Sequence, residues 1–148
     1  MHSMNLESAL PLTRHAPAES GSLVSMLREA FPHVLAIYAF GSRITGDAGT
    51  DSDLDLAVLV AGYADPLALW DRAGALADVV GCHVDLLDLR AASTVMQYQI
   101  LQNGWRLWAV QPEADLFECF VLNEKLGLDA ARGPLLDDIA REGKIHGR

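Results

Sequence analysis

The sequence predicts an α/β (α+β) domain: a small mixed sheet flanked by helices, followed by C-terminal helices. Three observations predict it. Apolar runs of strand length alternate with stretches whose apolar residues recur every three or four positions. The helical stretches carry recognisable starts and stops, such as Asp65-Pro66 before one of them and Gly81 after it. The chain has 148 residues, 51% apolar and 21% charged, enough for a single core without staples.

The elements follow in order. Residues 1–16 show no periodic pattern and read as a loose lead-in. Leu23, Met26, Leu27 and Ala30 fall at i, i+3, i+4 and i+7, one stripe of a helix that Pro32 closes. Residues 33–40 form a buried-strand candidate, 41–52 a Gly-, Thr- and Asp-rich loop or short helix, and 54–61 a second strand. Asp65 is an N-cap with Pro66 at the first helical position. Leu69, Ala73, Leu76 and Val80 give that helix its inner face, and Gly81 ends it. A third strand covers 82–89. Ser93 opens a further helix that Gly104 stops, and 105–110 is a short fourth strand. Residues 111–115 read as a hinge. Two helical pieces, 115–126 and 134–142, are each ended by a glycine, Gly127 and Gly143. The organisation expected is a core over 1–110 and a helical extension over 111–148 packed on it within one domain.

Charge and pattern exclude several function classes. Twenty acidic against 11 basic residues leave a net charge of −9, which repels a phosphate backbone and disfavours direct nucleic-acid binding. The longest apolar run, 34–40, is seven residues, against about 20 for a membrane span. No basic region followed by an apolar stretch marks a signal peptide. Cys82 and Cys119 lie far apart with no C-x-x-C pattern, so they read as buried packing residues in a reducing cytoplasm.

The chemistry concentrates in 38–60, YAFGSRITGDAGTDSDLDLAVLV. Asp47, Asp51, Asp53 and Asp55 lie within nine residues, beside a Gly41-Ser42 pair that follows an apolar strand. Gly41 and Gly46 have P-loop spacing, but Asp47 and Ala48 stand where Lys and Ser or Thr are needed. Asp51, Asp53 and Asp55 fit the first three EF-hand ligand positions, but Leu56 replaces the turn glycine and Gly62 the bidentate glutamate. A two-metal phosphoryl-transfer site fits. Asp53 and Asp55 enter a strand two residues apart, so they share a face with Cα atoms about 6.6 Å apart. Their carboxylates can converge on a pair of Mg²⁺ ions. Asp85 in the third strand is the candidate third carboxylate, whereas Asp88 has the opposite parity and points away. Gly41 lets backbone approach a triphosphate, Ser42 offers a hydroxyl and an N–H, and a helix starting there favours anions.

G-S, ten residues, then D-x-D in a strand resembles the nucleotidyltransferases of the DNA polymerase β superfamily, in their minimal (MNT) branch. The tail FECFVLNEKLGLDAARGPLLDDIAREGKIHG resembles the C-terminal helices of MntA-like antitoxins of HEPN–MNT toxin–antitoxin pairs. The likeness runs from about residue 20 to the end. It implies a polymerase β-like fold, with Gly41 and Ser42 holding the nucleotide and Arg43 contacting phosphate. Asp53 and Asp55 would bind two Mg²⁺ ions, and Asp85 the ion that activates the attacking hydroxyl. Thr45 stands where many relatives carry arginine. The implied activity is a cytoplasmic antitoxin that transfers AMP from ATP to a tyrosine of a HEPN ribonuclease toxin, in a hetero-oligomer with it.

Plainer readings stand beside these. Asp47 and Asp51 read as loop residues. His83 shares the parity of Asp85, yet a lone histidine at a strand start reads first as structural. Trp70, Trp105, Trp108, Phe117 and Phe120 read as core or partner-interface aromatics, and Glu118, Glu124, Lys125, Asp137 and Asp138 as solvated helix faces. Two rival functions remain. One is nucleotidyl transfer to a small hydroxylated molecule, disfavoured because only about 35 residues follow the expected hinge. The other is a non-catalytic antitoxin that occludes its toxin.

Overall fold

The computed structural model describes residues 14–15, 21–41 and 53–146, and side chains within 21–41 and 53–131. In chain order the elements are β1 (Arg14–His15), α1 (Gly21–Ala30), β2 (Val34–Phe40), β3 (Leu54–Val60), α2 (Pro66–Val80) and β4 (Val84–Asp88). A 3-10 turn (Leu89–Ala91), α3 (Thr94–Asn103), β5 (Trp105–Ala109) and α4 (Glu113–His146) complete it. The strands form one mixed sheet in the order β1-β5-β2-β3-β4. β2 runs antiparallel to both β3 and β5. β3 and β4 are parallel, which requires a crossover, and α2 supplies it.

Local chemistry sets the helix ends. The Asp65 carboxylate accepts from the Leu67 N–H at the start of α2, and Gly81 closes that helix at φ 77° with its N–H on the Ala77 carbonyl. Ser93 accepts from the Met96 N–H to open α3. The central strands are apolar over their packed lengths because helices cover both faces there. Leu56, Val58 and Val60 of β3 pack with Leu27 of α1 and Leu76 of α2. Ala57 and Leu59 belong to the opposite face, with Tyr38, Ile100 and Leu101 of α3, and Ala114, Phe117 and Val121 of α4. Asp53 and Asp55 continue this second parity beyond the packed part, Asp53 exposed and Asp55 half-buried. No described helix is long and apolar enough to cross a membrane.

Several expectations are corrected. Part of the lead-in is sheet: Arg14 and His15 pair in parallel with Trp105 and Arg106. The two expected C-terminal helical pieces are one helix that runs through Gly127 and Gly143. A glycine ends a helix only where the backbone leaves the helical conformation, left-handed at Gly81 and extended at Gly104. Gly127 stays helical, and Lys125 bridges over it to Asp129 at 3.0 Å. The expected hinge shrinks to Gln111-Pro112, because α4 begins at Glu113 and Ala114 is buried. Neither cysteine is buried: Cys119 is exposed and Cys82 partly so, and no disulfide joins them.

Candidate active site

Two adjacent strand pairs assemble the site. β2 ends at Phe40, and Gly41 turns away from it with φ 89°, a left-handed value open to glycine. Space is the second constraint, because a Cβ at position 41 would overlap the Asp55 Oδ2 atom and lie 3.1 Å from its Cγ. The approach follows from the register, in which Phe40 pairs with Asp55. On its other side Asp55 pairs with Asp85 in the parallel ladder of β3 and β4. Paired residues on adjacent strands share a face and stand about 4.8 Å apart along the hydrogen-bonding direction. Asp53 and His83 each precede one of these carboxylates by two residues and so share that face. His83 Nε2 lies 3.1 Å from Asp85 Oδ1.

The electrostatics follow from crowding. The Asp55 pKa is raised, first by burial, then by the Asp85 charge, a hydrogen bond shared with Asp85 and the Asp53 charge, while His83 pulls it down. Such a set is relieved by a cation. One ligand atom from each of Asp53, His83 and Asp85 lies within 4.8 Å of the other two. Oxygens sharing one Mg²⁺ lie no more than about 4.2 Å apart, given bonds near 2.1 Å. Small side-chain rotations therefore suit these residues to a divalent ion.

The structure thus brings together Gly41, Asp53, Asp55 and Asp85, as expected from sequence. It adds His83, whose strand parity was the available signal. Asp88 points elsewhere, accepting the Ala64 N–H at 2.9 Å and the Arg90 N–H at 3.0 Å. Ser42, Arg43, Thr45, Asp47 and Asp51 lie outside the described residues.

Beneath the site, a buried polar cluster ties α4 to the sheet. The Tyr38 hydroxyl donates to Glu118 Oε2 at 2.6 Å, and Arg106 Nη1 donates to the same oxygen at 2.9 Å and to Asp115 Oδ1 at 3.3 Å. Glu118 is completely buried. Its expected place on a solvated face is therefore overturned. The reason is tertiary: α4 lays that residue against a tyrosine on β2 and an arginine on β5. Burial raises the Glu118 pKa, and its bonds to Tyr38 and Arg106 oppose the rise.

A family model described as polymerase beta, nucleotidyltransferase matches residues 22–113. The chain belongs to that family. The protein adenylyltransferase MntA of Shewanella oneidensis is 38% identical over 117 residues, 79% of this chain and 84% of the relative. A solved toxin–antitoxin with AMP-PNP contains a chain 36% identical, with a TM-score of 0.72 over 82% of this chain and 98% of that one. A tri-AMPylated Shewanella oneidensis HEPN toxin in complex with its MNT antitoxin contains another. That chain is 35% identical, with a TM-score of 0.66 over 82% and 95% of the two chains. The matched segment holds Gly41, Asp53, Asp55, His83 and Asp85, whereas Asp115 and Glu118 of α4 lie beyond it.

Proposed function

We propose that this nucleotidyltransferase is an antitoxin that transfers AMP from ATP to a tyrosine of a cognate HEPN ribonuclease toxin, in the cytoplasm and in a complex with that toxin. The observation that carries the reading is Asp55 held between the Gly41 backbone and Asp85, in a chain similar over most of its length to a protein adenylyltransferase.

In this reading Asp53, Asp55 and Asp85 hold two Mg²⁺ ions, with His83 orienting Asp85 through its ring nitrogen. Bound there, the ions would supply Lewis acidity that lowers the acceptor hydroxyl's pKa and offsets charge on the polyphosphate. Gly41 admits the triphosphate close to the backbone. Ser42 gives it a hydroxyl and an N–H, and Arg43 adds a positive charge. The chain then aligns the tyrosine oxygen with the α-phosphorus. The tyrosine hydroxyl gives up its proton to water, the new O–P bond forms, the bond from the α-phosphorus to the bridging oxygen breaks, and pyrophosphate leaves with that oxygen. Positioning and charge supply most of the acceleration.

The test is to incubate both proteins with ATP and Mg²⁺ and weigh them intact. The toxin gains one or more AMP units. Asp53→Asn and Asp55→Asn abolish the gain while far-ultraviolet circular dichroism stays unchanged. Wild-type transfer by either variant would show the site to be misplaced, and a toxin neutralised without any mass change would mean plain occlusion. Ser42→Ala is expected to lower the transfer rate by about 10²–10³-fold, the usual effect of losing one preorganised donor. An unchanged rate removes Ser42 from the mechanism.

A further inference from the structure

The site contains one donor that a magnesium site does not need. Mg²⁺ is served by oxygen ligands, whereas an imidazole nitrogen suits transition-metal ions. His83 supplies such a nitrogen. The Leu54 N–H donates to the His83 carbonyl at 2.9 Å, which carries the β3–β4 ladder one residue before the Leu54–Val84 pair. Asp53 therefore stands opposite His83, as Asp55 stands opposite Asp85. Residues two apart on a strand share a face, so these four side chains mark the corners of one patch. Three corners are carboxylates and the fourth is an imidazole.

The corners are not equivalent. Asp55 is half-buried and lies against the Gly41 backbone, at the nucleotide end. Asp53, His83 and Asp85 are exposed, and one donor atom from each lies within 4.8 Å of the other two. His83 Nε2 and Asp85 Oδ1 are 3.1 Å apart. Two ligands of one tetrahedral Zn²⁺ lie about 3.3 Å apart, given bonds near 2.0–2.1 Å, so this pair already has nearly the spacing of two donors on one ion. The same distance suits a hydrogen bond. With Mg²⁺, which takes oxygen, the ring holds Asp85 from outside the shell. With an ion that favours nitrogen, its lone pair binds the metal itself.

We propose that His83 is a direct ligand for a nitrogen-preferring divalent ion, Zn²⁺, held by Asp53, His83 Nε2 and Asp85, and that it sets the ion preference of the site. The inference deepens the metal-site reading above and rests on it for the role of these carboxylates. Two carboxylates and one imidazole make three protein ligands, which leaves the fourth position of a tetrahedral ion to water. The His83 and Asp85 side chains are 65% and 60% exposed, so they can turn toward an ion without repacking the core. Asp53 and Asp85 are also needed by Mg²⁺ in that reading, so the two ions compete.

The experiment measures ion binding to the full-length chain without nucleotide, from the rise in melting temperature with Zn²⁺ or Mg²⁺ concentration. His83→Ala weakens Zn²⁺ at least tenfold and Mg²⁺ less than threefold, and its retained Mg²⁺ response shows that the variant is folded. His83→Gln keeps an N–H for Asp85 but has no imidazole lone pair, and it loses Zn²⁺ to the same degree. X-ray absorption at the zinc edge shows one imidazole in the wild-type shell and none in His83→Ala. Equal weakening of both ions, or Zn²⁺ affinity restored by His83→Gln, would make His83 a hydrogen-bond partner of Asp85 only and overturn the inference. Imidazole scattering that survives His83→Ala would place the zinc on another histidine, with the same consequence. Transfer of AMP to the toxin is assayed separately. Wild-type protein that binds zinc through His83 but transfers no AMP keeps the binding and loses the activity. Active protein whose Zn²⁺ affinity is unchanged in His83→Ala loses this inference alone.

Discussion

At Asp55 three demands meet in one side chain: it lies against the Gly41 backbone, pairs with Asp85 and shares a face with Asp53. Without a cation this crowding opposes folding. Its folded pKa stands above its unfolded one, so the group favours the folded state at acid pH. It opposes that state increasingly as pH rises through the folded pKa. Metal-free Asp55→Asn is therefore expected to melt at a higher temperature than wild type at neutral pH, and Mg²⁺ should raise the wild-type melting temperature more than the variant's. Calorimetry with and without chelator checks both, and a variant no more stable than wild type in chelator would refute the crowding argument. The D-x-D pair was legible in the sequence because strand parity is local geometry. Asp85 was legible for the same reason, once its run was read as a strand. His83 carried the same parity, but nothing local distinguished a site histidine from a structural one.

The elements reveal where local signals mislead. Caps at Asp65, Ser93, Gly81 and Gly104 were readable because each satisfies backbone groups within its own turn. Gly127 was not a stop, because α4 is held by contacts on both sides of it: Phe117 and Val121 upstream in the core, and the Lys125–Asp129 bridge across it. A Cβ at Gly127 meets nothing within 4 Å. Gly127→Ala should therefore stabilise the protein by about 1 kcal/mol, the usual gain of alanine over glycine inside a helix. Urea unfolding measures it. Destabilisation would mean that the chain turns left-handed there and that α4 is broken.

The whole molecule is tied together by the contact of Tyr38, Arg106 and Glu118, which joins β2, β5 and α4 beneath the site. Arg106→Leu leaves Glu118 buried without its cation, and loss of one partner of a buried pair costs about 3–5 kcal/mol. Because the Glu118 pKa is already raised by burial, the lone carboxyl takes up a proton more readily as pH falls. The cost measured by denaturation should therefore shrink at acid pH, and a cost independent of pH would mean that Glu118 is not the group left stranded. By itself the sequence determined the alternation of strands and helices, most of their ends, and which aspartates share a face, since these depend on spacing within a few residues. Only the tertiary structure decided that Asp55 pairs with Asp85 and that Glu118 is buried. It also decided that α4 is continuous and that Asp53 stands opposite His83. Each of these depends on which distant segments pack against one another, and spacing along a single chain does not encode that.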